Sequence, residues 1–212
     1  MKPVGIFGGT FDPIHYGHLR LALELYEALG LQELRLIPLH TPPHRRVPVA
    51  TPQQRFAMVE LAVTDVHGLV ADDREIRRGG VSYTIDTLRE LRAEHPGQPL
   101  CLITGMDAFR KLNSWREWQR LIEYAHIIVV DRPGSDPRAI DAPAVAELYG
   151  RYLTNDYTRL HDAPAGLIFK SPTPMLDISS TRIRELIAAG RDIHYLLPER
   201  LITYLTRQEI YT

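Results

Sequence analysis

The stretch that decides the fold is Val4-Gly5-Ile6-Phe7-Gly8-Gly9, a short apolar run that ends in two glycines. Beyond it, apolar residues recur with helical spacing up to Gly30: Leu19, Ala22, Leu23, Tyr26 and Leu29. A short apolar run bounded by glycine is typical of a buried strand, and a period near 3.6 residues is typical of a helix packed on a core. The opening of the chain therefore predicts a strand, a turn and a helix.

The same alternation continues along the chain. Further strands are predicted over residues 34–37, 100–104 and 127–130, and helices over residues 52–64 and 84–94. Thr51, Pro52 and Gln54 have the form of a capping box with proline at the first helical position, which supports the first of these helices. Residues 133–164 are less regular, and their prolines and polar residues predict a surface excursion.

The last part of the chain predicts two helices. Ser179-Ser180-Thr181 supplies cap residues to a helix that ends near Gly190, and another helix begins near Pro198. Strand and helix alternation predicts an α/β fold, a Rossmann-like doubly wound parallel sheet with a C-terminal helical portion. We expect a single domain over residues 1–212, with ligands beyond the carboxyl ends of the strands where the strand order switches.

Composition excludes several classes of protein. Charged residues make up 24% of the 212 residues and the formal net charge is −1, so the basic surface typical of nucleic-acid binding is missing. The sequence lacks the apolar region of a signal peptide and any run of about 18 apolar residues that would span a membrane. The lone cysteine, Cys101, lies in an apolar run and is expected to be buried. These features predict a cytoplasmic protein.

Residues 8–18 carry the groups of an anion site: Gly-Gly-Thr-Phe-Asp-Pro-Ile-His-Tyr-Gly-His. The two leading glycines let the backbone approach a ligand closely, and the helix start that follows offers unpaired N–H groups to a phosphate. His15 and His18 are three residues apart, so they point the same way if the helix begins near them, and Gly17 would leave the space between them open. Such a pair can donate hydrogen bonds to charge that grows on a phosphorus centre.

Two other interpretations of the histidine pair stay open, zinc ligation and a purely structural role. Zinc sites on one helix more often use a spacing of four residues and need a third ligand, which no nearby cysteine or acidic cluster clearly supplies. Residues 8–18 also lack the G-x-G-x-x-G pattern of dinucleotide-binding folds, which disfavours an oxidoreductase.

Residues 8–18 resemble the GGTFDPIHxGH signature of the nucleotidyltransferases, and most closely that of the bacterial nicotinate-nucleotide adenylyltransferases. In that family the two histidines hold the ATP phosphates and stabilise the transition state, so the resemblance implies these roles for His15 and His18. The other ATP-binding residues that it implies around the turn are Gly8, Gly9, Thr10, Phe11 and Gly105.

Residues 178–184, Ile-Ser-Ser-Thr-Arg-Ile-Arg, resemble the second signature of the family, ISSTxIR. Alone, this segment would indicate only a capped helix. Together with residues 8–18, its hydroxyl and N–H groups, with an arginine one turn in, suit the β- and γ-phosphates that leave as pyrophosphate. The residues concerned are Ser179, Ser180, Thr181 and Arg184.

Further segments resemble those by which the family recognises the acceptor. Residues 42–45 resemble the PPHK loop, with arginine in place of lysine, which presents a planar fork instead of a point charge. Trp115 would offer a flat face to a pyridine ring, and backbone N–H groups near Thr84 would donate hydrogen bonds to its carboxylate. Asp107 would bind ribose hydroxyls. The acceptor-binding residues implied are Arg45, Tyr83, Thr84, Asp107, Trp115 and Arg132.

The resemblance implies transfer of the adenylyl group of ATP to nicotinate mononucleotide, with release of pyrophosphate. A phosphate monoester has a second pKa of about 6, so the acceptor is already largely ionised and needs no general base. Catalysis then reduces to alignment and charge stabilisation. Mg²⁺ is expected to accompany ATP through phosphate oxygens and water, with no metal site in the protein. The chain is expected to act as a monomer or homodimer.

Three alternatives remain at this point. The acceptor could be nicotinamide mononucleotide, or phosphopantetheine, whose adenylyltransferases carry threonine where this chain has His15. A non-catalytic nucleotide sensor could use the same phosphate loop. The full set of histidines and arginines argues against the sensor, because sensing needs no groups aimed at a transition state.

Overall fold

The computed structural model describes residues 1–43, 47–130, 140–173 and 176–212. The strands are β1 (Val4–Gly9), β2 (Glu33–Pro38), β3 (Leu69–Ala71), β4 (Leu100–Gly105), β5 (His126–Val130), β6 (Leu153–Thr154) and β7 (Ile168–Ser171). The α-helices are α1 (Tyr16–Ala28), α2 (Pro52–Val63), α3 (Arg74–Arg78), α4 (Thr84–Glu94), α5 (Met106–Phe109), α6 (Leu121–Tyr124), α7 (Pro143–Tyr152), α8 (Ser180–Ala188) and α9 (Glu199–Arg207). Short 3₁₀ helices cover Leu112–Ser114, Trp118–Arg120 and Tyr157–His161.

These strands form one sheet in the order β3-β2-β1-β4-β5-β7-β6, and each pair of neighbours is parallel. The chain runs outward from β1 through β2 to β3 and returns to place β4 on the other side of β1. On that side β5 lies next to β4, β6 forms the sheet edge, and β7 then lies between β5 and β6. The strand order therefore reverses between β1 and β4. The predicted Rossmann-like doubly wound sheet is confirmed, and the structure locates its switch point.

Both faces of the sheet are covered, which explains why its central strands are apolar without alternation. In β4, Cys101 and Ile103 belong to one buried cluster, whereas Leu100 and Leu102 belong to the other. Successive side chains of a strand point to opposite faces, so the two clusters are the two cores on either side of the sheet. Cys101 is fully buried, as expected, and this burial raises the pKa of its thiol.

The helix boundaries follow the capping signals. The backbone N–H of Gln54 donates to the Thr51 hydroxyl oxygen at 3.2 Å, and the backbone N–H of Thr51 donates to Oε1 of Gln54 at 2.9 Å. The predicted capping box is therefore present. α4 has the predicted bounds, and α8 starts after Ser179, whose hydroxyl accepts the Arg182 N–H. α9 follows Pro198 and completes the C-terminal helical portion.

The irregular structure predicted over residues 133–164 is wrong for residues 140–164, although most of their side chains lie on the surface as predicted. Residues 143–152 form α7, residues 153–154 add a strand at the sheet edge beside β7, and a 3₁₀ helix follows. The prolines misled the prediction, because Pro143 lies in the first turn of α7, where its missing N–H costs nothing. Val145 anchors this helix on the core with no exposed surface.

Within the described ranges, no helix combines the length and apolarity needed to cross a bilayer.

Candidate active site

A crevice opens at the switch point because β1 and β4 separate toward their carboxyl ends. The two strands pair only from Val4–Ile6 to Leu100–Leu102. By contrast, β1 stays paired with β2 as far as Gly9, and β4 with β5 as far as Gly105. A ligand in a doubly wound fold binds at such a point.

At Gly8 and Gly105, two of the predicted ATP-binding residues, the main chain itself lines the crevice. A Cβ added at Gly8 or at Gly105 would meet no described atom within 4 Å. These glycines therefore leave open space next to the main chain, which lets a ligand come close to it.

The turn after β1 brings the two histidines together. α1 begins at Tyr16, and His15, directly before it, has extended backbone with φ of −150°. The imidazole rings of His15 and His18 stack with centroids 3.8 Å apart and planes 25° apart. The two rings therefore lie on one side of the helix start, as their three-residue spacing predicts.

Gly17 has a different role from the predicted one. A Cβ at this position would lie 3.0 Å from Cε1 and Nδ1 of His15, and 3.3 Å from the Leu176 carbonyl oxygen. The expectation that Gly17 leaves open space between the histidines is wrong, because the His15 ring fills that space. The glycine is needed so that the His15 ring can pack against the helix start.

His15 is a neutral imidazole in the free protein. Its side chain is buried, with 4% of the residue exposed, and burial lowers its pKa to about 4, an effect that a hydrogen bond with its own backbone only partly offsets. Within the described ranges, its Nδ1 has no partner in another residue, and neither does the buried hydroxyl of Thr10. The turn therefore holds polar atoms whose hydrogen-bonding capacity the surrounding protein does not use.

Phe11 shapes the other side of the turn. It has φ of 49°, in the left-handed region, and its ring meets the His18 ring edge-on with centroids 5.1 Å apart. A Cβ on Gly9 would lie 2.7 Å from the Phe11 ring, so the second glycine is required by this close packing. Phe11 is thus a buried support for His18, with 2% of its surface exposed.

The structure joins the two signature segments, which are about 170 residues apart. The Ser180 hydroxyl donates to the Pro13 carbonyl oxygen at 2.9 Å, and Nη1 of Arg184 donates to the Asp12 carbonyl oxygen at 2.7 Å. Nη2 of Arg184 also donates to the Thr181 hydroxyl at 3.3 Å. The start of α8 and its arginine therefore lie against the turn that carries the histidines.

Asp12 is a site residue that the sequence prediction missed, although it lies inside the first signature. Its carboxylate accepts the N–H groups of Val49 and Ala50 at 2.9 and 3.0 Å and the hydroxyl of Tyr211 at 2.6 Å. The side chain is buried, so it is a structural hub and not a group open to substrate.

Arg55 is the second missed residue. It is fully buried in α2 and donates to the carbonyl oxygens of Thr10 at 2.9 Å, His40 at 2.9 Å and Ala50 at 3.3 Å. Burial lowers its pKa, and the charge of Asp12 opposes this effect. Arg55 thus fixes the phosphate turn to the loop after β2. No local signal distinguishes it from an exposed helical arginine.

The loop after β2 is also fixed to the segment that starts α4. Thr41 and Val81 form an isolated parallel bridge, the Ser82 N–H donates to the Thr41 carbonyl oxygen at 2.9 Å, and the His40 N–H donates to the Ser82 hydroxyl at 2.8 Å. Tyr83 and Thr84 follow directly at the start of α4. These two predicted acceptor residues therefore lie at the same edge of the sheet as the phosphate turn.

The other predicted acceptor residues follow β4. Asp107 is exposed in α5, the helix that begins directly after Gly105. Trp115 is half-buried and packs, with Tyr83, against the same core cluster, and the guanidinium of Arg116 lies 4.9 Å from the centre of the Tyr83 ring. The predicted residues Arg45 and Arg132 lie outside the described residues.

A cavity of about 220 Å³ adjoins the start of α8. Its lining is Asp177, Ile178, Ser179, Arg182, Ile183 and Leu196. The Leu196 carbonyl oxygen accepts the Tyr16 N–H at 2.9 Å, so the cavity lies next to the helix that carries His18.

Comparisons with known proteins agree with this geometry. The sequence model of the cytidylyltransferase-like family matches residues 6–186. A probable nicotinate-nucleotide adenylyltransferase of Aeromonas salmonicida is 50% identical over 210 residues, covering 99% of this chain and 97% of that protein. One of Methylococcus capsulatus is 48% identical, covering 98% and 99%.

A solved structure supports the fold alone. The nicotinic acid mononucleotide adenylyltransferase of Plasmodium falciparum, complexed with NaAD, superposes with a TM-score of 0.73 at 18% identity, covering 100% of this chain and 98% of that one. The sequence matches, together with the two signature segments that meet at the switch point, place the chain in the cytidylyltransferase-like family, among the nicotinate-nucleotide adenylyltransferases.

Proposed function

We propose that the protein transfers the adenylyl group of ATP to nicotinate mononucleotide, giving nicotinate adenine dinucleotide and pyrophosphate. The observation that carries this proposal is the junction of the two signature segments beside the crevice between β1 and β4. The junction joins the turn that carries the histidine pair to the start of α8 and to Arg184, and imidazole, N–H and guanidinium groups in one region suit a triphosphate.

In this mechanism a phosphate oxygen of the acceptor attacks the α-phosphorus of ATP in line. The bond between the α-phosphorus and the oxygen that bridges it to the β-phosphorus breaks, and its electron pair leaves with pyrophosphate. His15 and His18 donate hydrogen bonds to the charge that builds up, while Arg184 and the start of α8 hold the leaving group. The open backbone at Gly8 and Gly105 lets the nucleotide approach both strands, and the cavity beside α8 takes the adenosine.

Tyr83, Thr84, Asp107 and Trp115 form the acceptor side of this proposal. Trp115 presents an aromatic face, and the start of α4 presents backbone N–H groups to the acid of the pyridine ring. The segment that leads into Tyr83 and Thr84 is connected to the phosphate turn through the loop after β2.

Mg²⁺ comes with the nucleotide in this proposal. The ion prefers phosphate oxygens and water, so it needs few or no protein carboxylates. It would neutralise part of the triphosphate charge. We also propose a cytoplasmic protein, which the free buried thiol of Cys101 fits, acting as a monomer or homodimer.

The test measures pyrophosphate release from ATP and Mg²⁺ with three acceptors: nicotinate mononucleotide, nicotinamide mononucleotide and phosphopantetheine. We expect the highest kcat/KM with the first. His18→Ala should lower turnover by about 10²–10³ fold, by analogy with loss of one oxyanion donor. His67→Ala, which removes an exposed imidazole, is the control. Full turnover in folded His18→Ala would contradict the mechanism, and release with none of the acceptors would favour the sensor.

A further inference from the structure

Tyr211 reaches the phosphate turn from the other end of the chain. Its hydroxyl donates to Oδ1 of Asp12 at 2.6 Å, across 199 positions of sequence, and only 8% of the residue is exposed. A buried hydrogen bond of this length to a carboxylate is a strong one. Tyr211 therefore contacts the turn directly, although it belongs to neither signature segment.

The backbone around this contact is strained on both sides. Tyr211 has φ of 73° and Phe11, next to Asp12, has φ of 49°, both in the left-handed region. An aromatic side chain rarely adopts this conformation, and it persists only where the surrounding structure fixes it. At Tyr211, the buried neighbour Ile210 anchors the segment, and its N–H donates to the Leu205 carbonyl oxygen at 3.1 Å. In this conformation the Tyr211 hydroxyl lies on Asp12.

Asp12 also contacts Arg184, the arginine of the second signature. Nη1 of Arg184 donates to the Asp12 carbonyl oxygen at 2.7 Å and lies 3.9 Å from Oδ2 of the same residue. Burial raises the pKa of the Tyr211 phenol, and the Asp12 hydrogen bond and charge raise it further, so the phenol remains a donor at neutral pH. Tyr211, Asp12 and Arg184 thus form one connected chain of groups.

We propose that Tyr211 is a positioning residue for ATP: its hydroxyl holds Asp12 so that the phosphate turn and Arg184 meet the triphosphate in the correct geometry. This inference rests on the proposed function for the step that it serves. It adds a residue that acts through Asp12 and lies outside both signatures.

The direct test is Tyr211→Phe, which removes the hydroxyl and keeps the ring. We expect Kd for Mg-ATP, measured by calorimetry without acceptor, to rise about tenfold, which corresponds to a hydrogen bond with a charged group. KM for ATP should rise in the same proportion, while KM for nicotinate mononucleotide should change by less than about twofold. An unchanged Kd for Mg-ATP would overturn the proposal.

Ile210→Ala is the matched control for stability. It removes buried packing next to Tyr211 but no side-chain hydrogen bond, so it should lower Tm without changing Kd for Mg-ATP. Both variants are compared well below their Tm. If Ile210→Ala weakens Mg-ATP binding as much as Tyr211→Phe does, the tyrosine is merely structural and the proposal fails.

A double-mutant cycle with Asp12→Asn tests whether the Tyr211 hydroxyl acts through Asp12. Because Tyr211 acts through Asp12, the double variant should bind Mg-ATP no more weakly than Asp12→Asn alone, and additive losses would contradict this. The calorimetric readout needs no acceptor. A wild-type protein that binds Mg-ATP but turns over no acceptor would therefore refute the proposed function while leaving the test of Tyr211 intact.

Discussion

The buried imidazole of His15 should make the stability of the protein depend on pH in a specific way. Its pKa is about 4 in the folded protein against 6.5 for an exposed imidazole. Between these values the unfolded chain binds a proton that the folded protein excludes, so this contribution is complete above about pH 6.5 and is lost as the pH falls toward 4. At about 1.4 kcal/mol per pKa unit, His15 accounts for a loss of about 2 kcal/mol between pH 7 and pH 5.

Replacing His15 by Asn tests this value. Urea unfolding of the wild type, of His15→Asn and of the exposed control His67→Asn gives the free energy of unfolding at both pH values. The wild type and the control should lose about 2 kcal/mol more than His15→Asn on going from pH 7 to pH 5. Other groups, including His126, whose burial also lowers its pKa, are present in all three proteins and cancel. An equal loss in His15→Asn would refute a buried, neutral His15.

Two further predictions concern the supports of the site. Gly8→Ala should change the free energy of unfolding by less than about 0.5 kcal/mol and raise KM for ATP, because its Cβ meets no described atom within 4 Å and projects into the crevice. Gly9→Ala should instead lower the stability, because its Cβ would lie 2.7 Å from the Phe11 ring. Thermal unfolding and steady-state kinetics of both variants decide this, and equal stability would contradict it. Arg55→Met should cost about 3 kcal/mol in chemical denaturation, since three carbonyl oxygens lose a donor and the Asp12 carboxylate loses a nearby positive charge. The exposed Arg77→Met should cost little. A loss below about 1 kcal/mol for Arg55→Met would show that the buried guanidinium does not support the turn.

Much of the fold could be predicted because its signals are local. The Thr51 and Gln54 capping box, the bounds of α4 and the Ser179 cap depend on residues within one turn of each other, and all are present in the structure. The prediction failed over residues 143–154, where proline suggested an irregular segment but occupies the first turn of a helix. Proline fixes φ without saying which of these two structures follows.

The sequence by itself determined the strand, turn and helix of residues 4–28 and the facing of His15 and His18, because period and spacing act over a few residues. Only the tertiary structure decided where β1 and β4 part, and that Arg184 and Tyr211 meet Asp12. It also decided that Arg55 is buried. The contacts of Arg55 with Thr10 and of Tyr211 with Asp12 join residues 45 and 199 positions apart. They depend on the three-dimensional path of the chain, which leaves no periodic pattern around either partner.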